Sequence, residues 1–429
     1  MPALSRRHFA AGLAALPLLP MARAFSAEPL QLVEGIDQTA AIQHAIDAAG
    51  AGVVQLPAGR FFAENLQLRG GTRLLGHAGA TELIGSTILS LDGTHGVRIS
   101  GLTLTGLYAA GDKPLISAVE AINLDIDSST LHTAGIGIDA HRCAGTVSDC
   151  HFYDFGDAAI HSLDSRGFNL TDCVVARCGN AGFRIWSSAP RHDGSTLRGN
   201  RIYDIRWNDG GNGQNGNGIN VFRADGVIVA DNQIDNCAFT AVRLNATSNT
   251  MVRGNVCRNS GEVAIFSEFE FSGSVIADNI VDGAAAGISM TNLDSGGHLA
   301  SCTGNIVRNI APRSDVNPDT VPYGIAAEAD AVISGNVVDT VPGIGIAAGY
   351  GPYLRNVVIS SNVVRNARIG IGVSIAEGAG AVHIADNLVA GAETAIAGLA
   401  WDRIVDPDLT LKSARSANVT AANNRVVAE

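Results

Sequence analysis

The sequence predicts an all-β chain wound as a parallel β-helix, and three observations predict it. A phrase clearest at residues 332–340 (Val-Ile-Ser-Gly-Asn-Val-Val-Asp-Thr) returns down the chain, with its asparagine at Asn200, Asn232, Asn255, Asn279, Asn305, Asn336, Asn362, Asn387 and Asn424. Most intervals run from about 23 to about 32 residues, the range in which self-similarity marks stacked repeats. Apolar residues keep fixed places around it: Leu197, Val229, Val252, Ile276, Ile333, Ile359 and Ile384 before, Ile202, Ile234, Val281, Val307, Val338, Val364, Val389 and Val426 after. This spacing lacks the helical period and is rich in β-branched residues, so it fits short strands joined at a turn. A coil of this size cannot bury its own apolar face; it must stack on its neighbours, and a column of turn asparagines then hydrogen-bonds from coil to coil.

The first element in order is not part of the fold. Ser5-Arg6-Arg7-His8-Phe9 precedes an apolar run over 10–20 and an Ala22-Arg23-Ala24 cleavage pattern, which reads as a twin-arginine export signal over residues 1–24. The expected location is the periplasm or the cell exterior. Length alone would suggest several domains, but a solenoid grows in one dimension, so residues 25–429 are expected to form one domain, with regular repeats over 126–427. Without Arg6, Arg7 and Arg23, 26 basic residues face 41 acidic ones, a net charge of −15. That excess excludes nucleic acid as a natural partner. Beyond the signal no apolar run is long enough to span a membrane.

Residues 35–50 follow as an amphipathic helix with Ile42, Ala45, Ile46 and Ala49 on one face, placed to cover the open end of the stack. Segments 52–61, 66–68 and 73–76 are the strands and turns of the first coil. Asp37-Gln38-Thr39-Ala40-Ala41-Ile42-Gln43-His44-Ala45-Ile46 followed by Val54-Gln55-Leu56-Pro57-Ala58-Gly59 resembles the start of the pectate-lyase-like superfamily. With the export signal and the asparagine phrases, nearly the whole chain resembles the twin-arginine-translocated β-helix repeat proteins, whose activity is not established. The resemblance implies a right-handed β-helix. It does not imply one reaction, because that superfamily holds lyases, hydrolases, epimerases and adhesins.

Coils at 99–107, 124–131 and 147–155 lead into the regular array, where Cys150 and Cys173 take the asparagine's slot. Excursions are expected at 187–196, 206–217 and 311–322, and another at 401–414 before a terminal coil. The Gly/Asn-rich stretch 206–217 is too polar to pack as a strand and suits a loop over a binding face. The seven cysteines fall mostly on apolar rows or ladder slots, which points to core packing. A Cys150–Cys173 bridge, or a metal site combining cysteines with His141, His151 or His161, stays open.

A second alignment carries the function. Strand alternation turns these residues outward, coil by coil: Gly137 and Asp139, His161 and Leu163, Arg184 and Trp186, Asn220 and Phe222, Arg243 and Asn245, Phe266 and Glu268, Ser289 and Thr291, Ala326 and Glu328. Later coils offer only small or bland residues (Ala347, Gly372, Ala397), so polar and aromatic groups gather in mid-stack. Trp186, Phe222 and Phe266 would face sugar rings, while Asn220, Asn245, Thr291, Arg184 and Arg243 would bond hydroxyls or carboxylates, in a substrate groove running from Asp139 to Glu328. Glu268, beside Arg243 and Asn245, is the candidate general acid or base, with His161 and Asp139 as more distant candidates. An arginine neutralising a uronate would favour proton removal at the adjacent carbon, the chemistry of lyases and epimerases. The expected partner is therefore a polysaccharide, acidic in character. No cofactor and no metal ligands are assigned; a calcium site like that of the calcium pectate lyases would need an acidic cluster, which only Glu268 with Glu270 approaches. The other reading is a non-catalytic glycan-binding or structural protein of the cell envelope, with an Arg243–Glu268 ladder that merely stiffens the face.

Overall fold

A computed structural model describes residues 30–107, 113–411 and 416–427. The expected signal at 1–24 lies outside the described residues, as do residues 412–415 of the last excursion. No helix among the described residues is long and apolar enough to cross a membrane. The chain winds as the expected right-handed parallel β-helix. One face is a fifteen-stranded sheet whose strands follow one another in chain order from Val53–Gln55 to Val419–Ala422. Within one coil the repeated phrase turns from this face (Val332, Ile333) to a second (Val337, Val338), and the chain then runs on to a third (Ile346, Ala347).

The turn explains the phrase. Each ladder position follows a residue in the left-handed region: Asp149, Asp172, Gly199, Asp231, Gly254, Asp278, Gly304, Gly335, Ser361, Asp386 and Asn423. Glycine adopts that conformation without a Cβ clash, and Asp and Asn tolerate it by local hydrogen bonding, hence the recurring Gly-Asn and Asp-Asn pairs. From Asn200 to Asn387 the asparagines themselves are buried, and Asn424 at the end of the stack is half-buried. Asn279 Oδ1 accepts from the backbone N and from Nδ2 of Asn255, both at 3.0 Å, while its own Nδ2 donates to Val252 O and Asn305 Oδ1. The same pattern runs from Asn200 to Asn424. Cys173 continues it by its backbone N alone, 3.0 Å from Asn200 Oδ1. All seven cysteines are free and buried, in keeping with core packing.

The helix is shorter than the expected 35–50, running Thr39–Ala49. Asp37 is held in a bridge to Phe62, and its Oδ1 accepts from Thr39 N at 2.9 Å, so the chain enters the helix only after that turn. Gly50, at φ 56°, closes it with its N–H on Ile46 O. Ile42 and Ile46 are fully buried against the first coil. The excursions at 206–217 and 311–322 are loops as expected. Residues 187–196 are not: strand Ala181–His192 runs on through most of them, bulges after Trp186, and pairs again at Arg191–Ala224 and His192–Asp225. Within 401–414 the chain turns back as strand Arg403–Asp406 on Thr394–Ala400, the one antiparallel strand pair among the described residues.

Candidate functional site

The third face brings the outward row into two columns. Asp139, His161, Arg184, Asn220, Arg243, Phe266, Ser289 and Ala326 are successive cross-strand partners. His141, Leu163, Trp186, Phe222, Asn245 and Glu268 form the second column. The first coil departs from the expected alignment by two residues, since Asp139 lies opposite His161 rather than Leu163. Gly-Ile occurs twice there, at 135–136 and 137–138, and packing selects the second copy. A Cβ on Gly137 would stand 2.4 Å from Ala159 O, the same close approach that Gly182 makes to Gly218 O.

Neither arginine of the row is free to grip a ligand. Arg184 makes a fork to Asp157 at 2.6 and 2.7 Å and reaches Asn215 Oδ1 at 3.0 Å. Arg243, 5% exposed, bonds Glu262 at 2.8 Å and Glu268 at 2.6 Å, its guanidinium 5.1 Å from the Phe266 ring centroid. Burial pushes the Glu268 carboxyl above its ordinary range, with the Arg243 charge opposing that rise. The triad also fastens two loops. Asn317 Nδ2 donates to Glu262 Oε1 at 2.8 Å. Gly213, at φ 111°, lies directly against the guanidinium, where a Cβ would come within 2.3 Å of Arg243 Nη2. Sequence reasoning missed Glu262 and Asp157 because Asp157 sits at the bend before its strand and Glu262 at the register shift between Ser260 and Val263, both outside the alternation that defined the row.

The aromatic and amide members interlock as well. Trp186 Nε1 donates to Asn220 Oδ1 at 3.2 Å, and its ring meets Phe222 edge-on at 6.1 Å. Asn220 Nδ2 donates to Gln214 O, and Asn245 Nδ2 to Glu268 Oε2. With Phe269 and the 206–217 loop they line a small recess of about 190 Å³.

A larger groove of about 560 Å³ opens further along the same face, between the 311–322 loop and the Trp401 turn. It takes in Phe266, Thr291 and Glu328 from the predicted set and adds Asn317, Tyr323, Tyr350, Arg368, Trp401 and Asp402. The small residues of the later coils, Ala326 and Ala347, make its low floor; their blandness is what leaves room. Trp401 and Tyr350 are 46% and 44% exposed, with ring centroids 5.0 Å apart. Glu328 is buried at the side, and that burial pushes its carboxyl up to about 7, although the Leu293 N–H donates to it at 2.6 Å. Arg368 is exposed and has no ion-pair partner among the described residues. The signal for these additions was the pair of interruptions at 311–322 and 401–414, which bring foreign side chains over the repeat.

Fold and face together define a right-handed parallel β-helix with a loop-walled groove on one sheet. The family model for the right-handed β-helix region matches residues 134–309. No curated protein matches the chain by sequence. Among solved structures, it is similar to the catalytic unit of a thermostable α-1,3-glucanase from Streptomyces thermodiastaticus strain HF3-3. The identity is 14% and the TM-score 0.50, over 92% of this chain and 66% of that one, so the chain spans just under two thirds of the glucanase unit. It is also similar to the tailspike of E. coli bacteriophage HK620, at 12% identity and TM-score 0.49, over 93% and 76% of the two chains. A third is a surface adhesin of Streptococcus pneumoniae, at 14% and 0.47, over 85% and 89%. At these identities the likeness is one of fold.

Proposed function

We propose that the protein is exported through its twin-arginine N-terminus and binds a polysaccharide along the large groove, with Glu328 as the proton-transfer group. The observation that carries this reading is one groove holding two exposed aromatic rings, Trp401 and Tyr350, together with a carboxyl that titrates near neutrality. Aromatic faces stack on the apolar faces of sugars, and a group with a pKa near the working pH is suited to both take and give a proton. The glucanase of similar fold acts on a glycan, a function this architecture can carry.

An acidic glycan, and with it lyase or epimerase chemistry, rests on Arg368 rather than on Arg184 or Arg243, whose guanidinium groups are already paired. Tyr323 and Ile369 occupy one column two coils apart, and Glu328 lies five residues along from Tyr323. Arg368 precedes Ile369 by one residue, so Arg368 and Glu328 are offset by six residues and two coils, roughly 22 Å at ordinary strand spacings and far enough to meet different sugar units of one chain. A non-catalytic binder is the second reading, favoured by the locking of Glu262 against Arg243, which removes a groove carboxylate from chemistry.

The test is a panel of neutral and uronate-containing glycans, read for binding and for altered products. Trp401→Ala is expected to weaken binding about tenfold, as loss of an aromatic anchor does. Glu328→Gln is expected to keep binding and abolish product. Binding without product in the wild type supports the second reading, and no binding to any glycan ends both.

A further inference from the structure

Four to five coils before Phe266, at the other end of the outward row, a second group of side chains converges. Asp139 and His141 stand two apart on strand Ile136–His141 and so share its outward side, while His161 is the cross-strand partner of Asp139 in the next coil. His141 Nε2 lies 3.0 Å and His161 Nδ1 3.2 Å from the same atom, Asp139 Oδ1. One ligand atom from each residue lies within 4.8 Å of the others. Ligands about 2.1 Å from a zinc-sized ion stand about 3.0 to 3.4 Å from one another, so two of the three separations need almost no adjustment.

Left as a bare trio, the arrangement is poorly satisfied. His161 Nε2 is buried without a hydrogen-bond partner. A proton on Nδ1 strands the Nε2 lone pair; a proton on Nε2 turns the Nδ1 lone pair against a carboxylate oxygen. A cation shared by Nδ1 and Oδ1 removes that second repulsion. The neighbours leave the position clear: Arg184 is turned to Asp157, Trp186 meets His161 edge-on at 5.6 Å, and Cys143 points inward, its Sγ on Ala118 O and His141 O. The three side chains are 20–33% exposed, so further coordination positions open to solvent.

We propose that Asp139, His141 and His161 form a three-ligand site for a divalent transition-metal ion of the zinc type, with at least one position open. Two imidazoles and one carboxylate select such an ion over calcium or magnesium, which take oxygen ligands. Three protein ligands with an open position are the arrangement of a reactive site rather than a closed structural one. The site stands roughly 19 to 24 Å from Phe266 by coil spacing and is independent of the glycan reading.

Titration of the metal-stripped mature protein with zinc chloride, followed by calorimetry, tests it. One zinc per chain is expected, unmoved by excess calcium. Asp139→Asn, His141→Ala and His161→Ala should each weaken it at least about tenfold, and His383→Ala on the opposite sheet should not. Cobalt(II) added to the wild type should give ligand-field bands of a nitrogen and oxygen site, which needs no variant to fold. Absence of stoichiometric zinc binding, equal binding by the three variants, or calcium displacing zinc overturns the proposal.

Discussion

Replacing Arg243 by methionine removes the one cation between two buried carboxylates while keeping much of the side chain's volume. Glu262 and Glu268 are 3% and 5% exposed and both bond the guanidinium. Breaking a buried pair by removing one partner costs about 3–5 kcal/mol, because the remaining charge is stranded. With an unfolding entropy of about 2.1 cal/mol/K per residue over roughly 400 residues, 4 kcal/mol corresponds to a melting shift of about 5 °C if the chain unfolds as one unit. The cost has a sign in pH. Burial already holds the Glu268 carboxyl above its ordinary range, and without the opposing Arg243 charge it is pushed further, so the folded state binds a proton that the unfolded state releases and stability falls as pH rises through that interval. The gap between variant and wild type should therefore be full at about pH 8 and narrow toward about pH 5. Calorimetric melts at the two pH values measure it. A loss under about 1 kcal/mol at the higher pH, or a gap that does not narrow, refutes the buried triad as the clamp of this face.

Two further outcomes follow from the same physics. Asn279→Ala strips partners from the backbone N–H of Asn255 and the carbonyl of Val252 inside the ladder; at about 1–3 kcal/mol per stranded group, a loss of about 2–5 kcal/mol is expected in urea unfolding, with no change in ligand binding. Glu328, held at about 7 in the fold, makes the wild type lose about 3 kcal/mol of stability as pH rises from the ordinary carboxylate range to neutrality. Glu328→Gln should flatten that slope in melts taken across the interval, and an unchanged slope would show that the carboxyl is ordinary.

The amino-acid sequence by itself determined the solenoid. The left-handed residue before each ladder position, Gly or Asp in nine of eleven, and the paired aliphatic rows are local demands of one turn, and a local demand repeated eleven times is legible without tertiary knowledge. It also placed the outward columns, because strand alternation is local too. What only the tertiary structure decided is what those side chains face. Arg184 is neutralised by Asp157 from a bend and Arg243 by Glu262 at a strand irregularity and by Glu268 of the neighbouring column, and the groove of Glu328, Tyr350 and Trp401 is completed by interruptions far apart in the chain. The same holds for His141 and His161, which a two-residue choice of register separates or joins. Repeats fix the spacing of coils, but charge pairing and loop closure act between residues that no period relates, so chemistry on a regular scaffold is settled by its irregular parts.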